Sequence, residues 1–318
     1  MKNVFSFLFF LIILNLAAIA QQDPQFSQNM FNQASVNPGY VGSGDNANLL
    51  LLSRYQWVGF AGSPRTNVFN VDAPVNLFGV TSGVGLTVMS DKIGFESDVL
   101  VNLIYAYQKK TANGNLGIGF SLGFFNYGLN PQWVYPEDGN VSVDQDNSIP
   151  TNGKKSSQVA TDLGLGLFYQ SSQFYVGASA KHLNRPSLTF ENLSSYFIER
   201  NYYLTSGYNF QLPIPGFELR PSMFIKSDGA SYQVDLNTNL VYEDRLWGGL
   251  SYRIDDGFVI LLGAEMLSGL KVGYAFDVTT SAIAKGGFGS HEFFVGYSFK
   301  LQKNKNNSNN KYKSVRFL

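Results

Sequence analysis

The chain has 318 residues, with 23 basic and 23 acidic side chains, so it carries no formal net charge; 14% of its residues are charged and 15% aromatic. Globular domains usually carry about 25% charge. The shortage, with 32 glycines, argues against a disordered chain, which needs high charge and few aromatics, and against nucleic acid as a partner, which calls for a basic excess. There is no cysteine and there are two histidines, His182 and His291. Disulfides, thiolate metal sites and a cysteine nucleophile are therefore excluded, and neither a metal centre nor a cofactor is expected.

Residues 1–20 read as a cleaved secretory signal peptide: Lys2 supplies the charge, Val4–Ala20 carry none, and Ala18-Ile19-Ala20 has the small-x-small spacing of a cleavage site. The alternative is a membrane anchor, for which a run of about 17 residues is at the short limit. Residues 21–47 differ in texture. Phe26, Met30 and Phe31 lie among amides, and Asn37-Pro38-Gly39 is a turn signal. This stretch is either a frayed terminus or a short N-terminal periplasmic or plug segment that packs into the periplasmic mouth of a barrel or meets a partner. Its aromatics favour the second reading.

From residue 48 to 301 apolar and polar residues alternate with period two. Leu116, Ile118, Phe120, Leu122 and Phe124 face one way, with Gly117, Gly119, Ser121 and Gly123 the other; 163–169, 232–242, 270–278 and 293–299 repeat the pattern. A soluble sandwich and a membrane barrel both alternate. Segments of about 10 residues with aromatics at their ends favour the barrel. The expected fold class is all-β: a transmembrane antiparallel β-barrel of about 14 strands, at 48–58, 66–73, 80–90, 97–109, 115–127, 158–170, 173–183, 200–211, 217–227, 231–242, 245–254, 257–266, 270–279 and 290–301. Short turns such as Ser171-Ser172, Glu243-Asp244 and Ser268-Gly269 are expected at the periplasm, with longer Pro-bearing turns from Pro74 to Gly79 and from Pro213 to Gly216. The long loops 128–157 and 184–199 are expected outside, the first offering Trp133 and Tyr135 as contact candidates. Lys181, Asp235, Arg253, Glu265, Lys271 and Asp277 are expected in the lumen, as a pore field or as internal polar packing. The tail 302–318 has five basic residues and no acid. It reads as a disordered periplasmic tail or as a docking peptide ending in Val315, Phe317 and Leu318.

The stretch up to residue 66 carries a resemblance. Gln22-Asp23-Pro24-Gln25-Phe26-Ser27-Gln28, Met30-Phe31-Asn32, Asn37-Pro38, Tyr40, Gly42-Ser43, Arg54, Gln56-Trp57-Val58-Gly59-Phe60, Pro64 and Thr66 resemble the PorP/SprF family of outer-membrane proteins, as do Asp91, Ile93-Gly94 and His291-Glu292. Gln33 stands where the family pattern favours Pro, and Gly39 and Ser63 where it favours Ala. The resemblance implies an outer-membrane component or accessory of type IX secretion. In gliding bacteria such proteins are associated with export and attachment of a large surface adhesin bearing a C-terminal secretion domain. Implied partners are that adhesin, the secretion or gliding machinery, and outer-membrane lipid. Phe26, Asn37, Pro38, Tyr40, Arg54, Gln56, Trp57, Gly59 and Pro64 become structural or contact candidates. No catalytic residue is assigned: His182 could pair with Ser179, but nothing marks a nucleophile, and a histidine near a strand end is expected to be solvated or interfacial. The alternative function is a passive or substrate-specific pore for small molecules.

Overall fold

In the computed structural model, residues 23–130, 156–189, 196–267, 269–280 and 286–301 are described. The signal-peptide residues, Trp133, Tyr135, Ser268 and the tail with Val315, Phe317 and Leu318 lie outside them.

Where the sequence alternates, the chain forms strands: β1 (Asn46–Tyr55), β2 (Arg65–Leu77), β3 (Val80–Ile93), β4 (Glu96–Thr111), β5 (Gly114–Leu129), β6 (Ser156–Ser171) and β7 (Phe174–Lys181). A two-residue pair, β8 (Ser187–Leu188) and β9 (Tyr196–Phe197), precedes β10 (Asn201–Tyr208) and its short continuation β11 (Phe210–Gln211). There follow β12 (Phe217–Ser227), β13 (Tyr232–Tyr242), β14 (Leu246–Arg253), β15 (Gly257–Leu267), β16 (Leu270–Thr279) and β17 (Ser290–Lys300). Neighbours pair antiparallel, β10 pairs with β12, and β1 pairs with β17 along its whole length. Setting aside β8 and β9, and β11, which only prolongs the wall beside β12, 14 strands close into a barrel with no free edge.

The pleat sorts the side chains. On β5, Ile118, Phe120, Leu122 and Phe124 are exposed on the outer face, and β15 does the same with Phe258, Ile260 and Leu262. Contiguous apolar exposure of this extent belongs against lipid. Aromatic pairs ring both ends, with Phe217–Tyr242 (4.7 Å) and Tyr208–Phe210 (4.4 Å) at one and Tyr252–Phe258 (5.0 Å) at the other. The first end carries tight turns such as Phe78-Gly79 and Ala112-Asn113; the second carries the connections 130–155 and 182–200. Short turns mark the periplasmic rim and long loops the outer one.

Two expectations are corrected. β1 ends at Tyr55, not 58, because Trp57 adopts φ 50° and the Gln56 amide turns to the Pro64 carbonyl. Pro74 lies inside β2 opposite Gly83, and the turn is only Phe78-Gly79, both at positive φ (52° and 82°), as a tight primed hairpin requires.

The segment before β1 fills the barrel. Phe26 through Ser43 are buried without a break. A single helical turn, α1 (Gln33–Val36), leads into a 3-10 turn at Pro38–Tyr40. Asp23 meets the outer ends of β7 and β12 through Lys181 and Lys226, Asn32 meets Asn70 midway along β2, and Ser43 meets Gln170 near the periplasmic end of β6. The segment therefore descends the whole lumen from the outer rim. The expected packing at the periplasmic mouth is corrected accordingly, since luminal polar groups accept the chain at every level.

The luminal glycines make room for it. A Cβ on Gly119 would lie 2.2 Å from the Pro38 carbonyl carbon, one on Gly117 would lie 2.0 Å from the Gly39 oxygen, and one on Gly83 would lie 2.0 Å from the Val41 oxygen. These neighbours are backbone, so they cannot turn aside. By contrast, Gly248 on the lipid face has nothing nearer than 3.5 Å. Gly119→Ala should therefore cost about 2 kcal/mol or more as overpacking, and Gly248→Ala within about 0.5 kcal/mol, read from urea midpoints of the detergent-solubilised barrel. Equal costs would mean that the segment yields freely and does not press on the wall.

Candidate functional site

Two buried charge clusters hold the segment. The first lies where β1 meets β17. Arg54 and Glu292 are cross-strand partners there, both pointing inward. Arg54 Nη1 is 3.2 Å from Glu292, its Nη2 is 2.7 Å from Asp277, and Nη1 also donates to the Ser27 hydroxyl at 2.7 Å. Glu292 then accepts the backbone amides of Ser27 and Gln28, each at 2.8 Å, and Ser27 Oγ donates to Asp277 at 2.6 Å. Arg253 continues the cluster, reaching Asp235 at 3.1 Å and Asp277 at 3.0 Å. Of the luminal charges expected from sequence, Lys181, Asp235, Arg253 and Asp277 thus bind the segment or its binding partners, and Glu265 faces Lys271 at 3.7 Å. Internal packing, the second of the two sequence readings, describes them.

The second cluster is at the outer end. Asp23 takes Lys181 Nζ at 2.9 Å, His182 Nε2 at 2.9 Å and the Tyr203 hydroxyl, and its carbonyl accepts Lys226 at 2.8 Å. The other ring nitrogen of His182 is 2.6 Å from Asp162. His182 is fully buried, which corrects its expected solvation. With both ring nitrogens on carboxylates, the arrangement suits an imidazolium donating twice, and such a ring has no lone pair with which to take a proton from a nucleophile. Burial alone would raise the Asp23 carboxyl, but Lys181 and His182, with the hydrogen bonds of His182 and Tyr203, hold it well below the ordinary range.

Between the clusters, side chains serve the segment's backbone. Gln108 donates to the carbonyls of Gly39 (3.1 Å) and Val41 (2.6 Å), and Gln170 to that of Ser43 (2.6 Å). Ser179 donates to Val36, and Asp72 accepts the Gly42 amide. Asn37 caps its own turn by accepting the Gly39 amide and donates to Leu167 on β6. Phe31 packs against Phe294 (4.8 Å) and Trp247 (5.3 Å), and Tyr40 sits edge-on to Phe168.

The sequence candidates divide in two. Phe26, Asn37, Pro38, Tyr40 and Arg54 are buried in the junction between segment and wall and face this chain itself. Gln56, Trp57, Gly59 and Pro64 lie in the β1–β2 connection at the outer rim. There Trp57, Pro64, Gln56 and Asp23 join Asp91, Glu96, Asp98 and Asn201 around an open cavity of about 690 Å³. Sequence reasoning missed the inward Trp247 and Phe294. The run Phe293-Phe294-Val295 breaks the period of two and was the available signal.

A family model described as type IX secretion system membrane protein PorP/SprF matches residues 18–297, the barrel and its plug together. The chain belongs to that family. Among curated proteins none matches it. Solved structures similar to it include Omp33 of Acinetobacter baumannii (8% identity, 81% of this chain and 100% of that one, TM-score 0.45). They also include the P. putida toluene transporter TodX (10%, 88% and 95%, 0.44) and the translocator domain of NalP from Neisseria meningitidis (12%, 85% and 94%, 0.43). At these identities and TM-scores none of them bears on what this chain binds. As a PorP/SprF protein with an outer-membrane-type barrel, the chain resides in the outer membrane and is a membrane component of type IX secretion.

The charge clusters of this PorP/SprF protein generate two predictions. Arg54→Ala leaves Asp277 and Glu292 facing each other and should lower stability by about 3–5 kcal/mol; Arg54→Lys should recover less than half of it, because an ammonium cannot fork between two carboxylates. Urea midpoints would measure both, and full recovery by lysine would show that charge alone matters. Asp23 has a folded pKa below its unfolded value of about 3.9, so its contribution is complete above that value and is lost as pH falls through the lower folded one. Amides 25–30 should keep their protection from hydrogen exchange between pH 7 and 5 and lose it progressively as pH falls from about 3.9 towards the lower folded value, while Asp23→Asn should lose it at pH 7. An Asp23→Asn exchange profile matching the wild type would remove Asp23 as the anchor.

Proposed function

We propose that the protein is an accessory of type IX secretion that holds a secreted surface protein, of the gliding-adhesin type, at the outer rim by its C-terminal domain, and that it works by binding without a catalytic step. The observation that carries this reading is the occupied lumen: from Phe26 to Ser43 the barrel encloses its own chain. A small-molecule pore needs that space. A holding protein needs a rigid wall and an exposed rim, and Gln56, Trp57, Gly59 and Pro64 lie there, with Trp133 and Tyr135 in the outer loop 128–157. The pore field suggested by the luminal charges loses its main support, because those charges are spent on the plug. Residues 1–20 would be removed on export. The tail 302–318, with Val315, Phe317 and Leu318, would meet periplasmic machinery, a reading supported by β17 ending at the short-turn rim.

Purified from its native membrane, the protein should retain a large surface protein carrying a C-terminal secretion domain, bind that isolated domain, and conduct in planar bilayers no more than the lipid alone. Deleting 302–318 should release periplasmic partners and leave the barrel inserted. Steady conductance from a barrel that retains no such cargo would transfer the assignment to the pore.

A further inference from the structure

The lipid face of β1, β2 and β3 changes character as it nears the outer rim. Register stacks its outward residues in rows. One row is apolar, with Leu51 opposite Phe69 and Phe69 opposite Val88. The row above is polar, with Ser53 opposite Asn67 and Asn67 opposite Ser90. In the row at the rim, Tyr55 is opposite Arg65 and Arg65 opposite Lys92. Lipid favours apolar residues on this face, as β5 and β15 show, so the polar row and the two cations call for a cause.

The barrel does not neutralise these cations. Arg65 and Lys92 are both exposed, and like charges directly opposite one another destabilise a sheet. No acid among the described residues forms an ion pair with either. The Arg65 guanidinium lies 6.0 Å from the centre of the Tyr55 ring. On the neighbouring strands, Tyr274 with Phe293 (4.8 Å) and Phe276 with His291 (5.1 Å) continue an aromatic belt. Such belts sit at the level of the lipid headgroups, which sets the two cations at that depth.

A second observation lies directly beneath them. Ser53, Asn67 and Ser90 are short, and beside Leu51, Phe69 and Phe293 they leave an open groove of about 460 Å³. Asn67 and Ser90 are two residues from Arg65 and Lys92 on the same strands and the same face, a step of about 7 Å. The Ser53 hydroxyl donates to Asn67 Oδ1, so the Asn67 side chain keeps its own amide hydrogens to donate. Two cations, then polar donors, then an apolar floor follow one another down the wall. That order matches an amphiphile with an anionic head. Arginine binds phosphate through two parallel N–H groups and lysine as a point charge.

We propose that this part of the wall is a binding site for a phosphate-bearing lipid of the outer leaflet, with the phosphate between Arg65 and Lys92 and an acyl chain in the groove. The site does not depend on the holding function above. The test uses the lipid-depleted mature full chain in dodecyl maltoside, with bound lipid counted by native mass spectrometry. The probes are dioleoyl phosphatidate, dioleoylglycerol and inorganic phosphate. Phosphatidate should bind saturably, one per barrel, and the other two should not. Arg65→Gln with Lys92→Gln should weaken it at least tenfold, while the melting temperature of the lipid-free barrel holds or rises because the repulsion is gone. Lys109→Gln with Lys110→Gln removes the same charge at the periplasmic rim and should leave binding within twofold. Ser90→Phe keeps the charge but fills the groove, and should weaken binding severalfold. Equal binding of phosphatidate and dioleoylglycerol would overturn the proposal by leaving only an apolar groove. Competition by inorganic phosphate at the same concentration would overturn it in favour of a free-anion site. Unchanged binding in the Arg65–Lys92 variant, or an equal loss in the Lys109–Lys110 variant, would also overturn it. So would a lipid-free dimer that Ser90→Phe dissolves, which would make the groove an interface between copies.

Discussion

The structure depends on one constraint: an irregular chain cannot occupy a barrel lumen unless its backbone finds partners on the wall. Strands satisfy their own amides and carbonyls, but Asp23–Asp45 has only one turn of α-helix and one 3-10 turn. A buried unpaired peptide group costs about as much as a lost hydrogen bond. The wall therefore presents Glu292, Gln108, Gln170, Ser179 and Asp72 at successive levels, each meeting a main-chain amide or carbonyl of the segment. Glycines face it where the main chain comes closest, at Gly83, Gly117 and Gly119. The polar inner face is thus a negative of one particular backbone path, and a luminal residue cannot be interpreted apart from the residue of the plug it serves.

Charge follows from the same constraint. A buried carboxylate such as Glu292 is costly alone. Here it is shared between Arg54 and two backbone amides, so that each acceptor oxygen has a donor. Arginine suits this place because its planar fork reaches Asp277 and Glu292 together while its charge is fixed. The outer rim departs from this rule: Asp91 and Asp98 are paired by register and not by charge. Among the described residues, then, the neutralised charges include those that join plug to wall.

The architecture was legible because a membrane wall repeats one local rule. Most strands alternate, and lipid on one side favours apolar outward residues, so strand number and the two rims followed from period and loop length. The site was legible only in part. Arg54 and Asn37 stood out as motif pieces, yet nothing local told that Arg54 would meet Asp277, 223 residues later. That contact is set by barrel closure. The direction of the plug was equally hidden: amides and aromatics announce a packed segment but not which end enters first. His182 was misjudged for the same reason, since its carboxylates, Asp23 and Asp162, come from the plug and from β6.

Closure and plugging depend on each other in this structure. β1 and β17, the first and last strands, meet along the only seam that joins the two ends of the wall, and Arg54 and Glu292 face each other across it. A cross-strand pair between an arginine and a glutamate would help to register any hairpin. Here Ser27 and Gln28 add two amides to the glutamate and a hydroxyl to the arginine, binding both strands at once. The segment can make these bonds only when both strands are in place, and Glu292 has its full set of donors only when the segment is. Asp23, with its ties to β7, β10 and β12 through Lys181, Tyr203 and Lys226, does the same across the opposite wall. The barrel is therefore stapled from inside at two places on its circumference. A wall so braced can keep rigid the outer rim on which Gln56, Trp57, Gly59 and Pro64 lie.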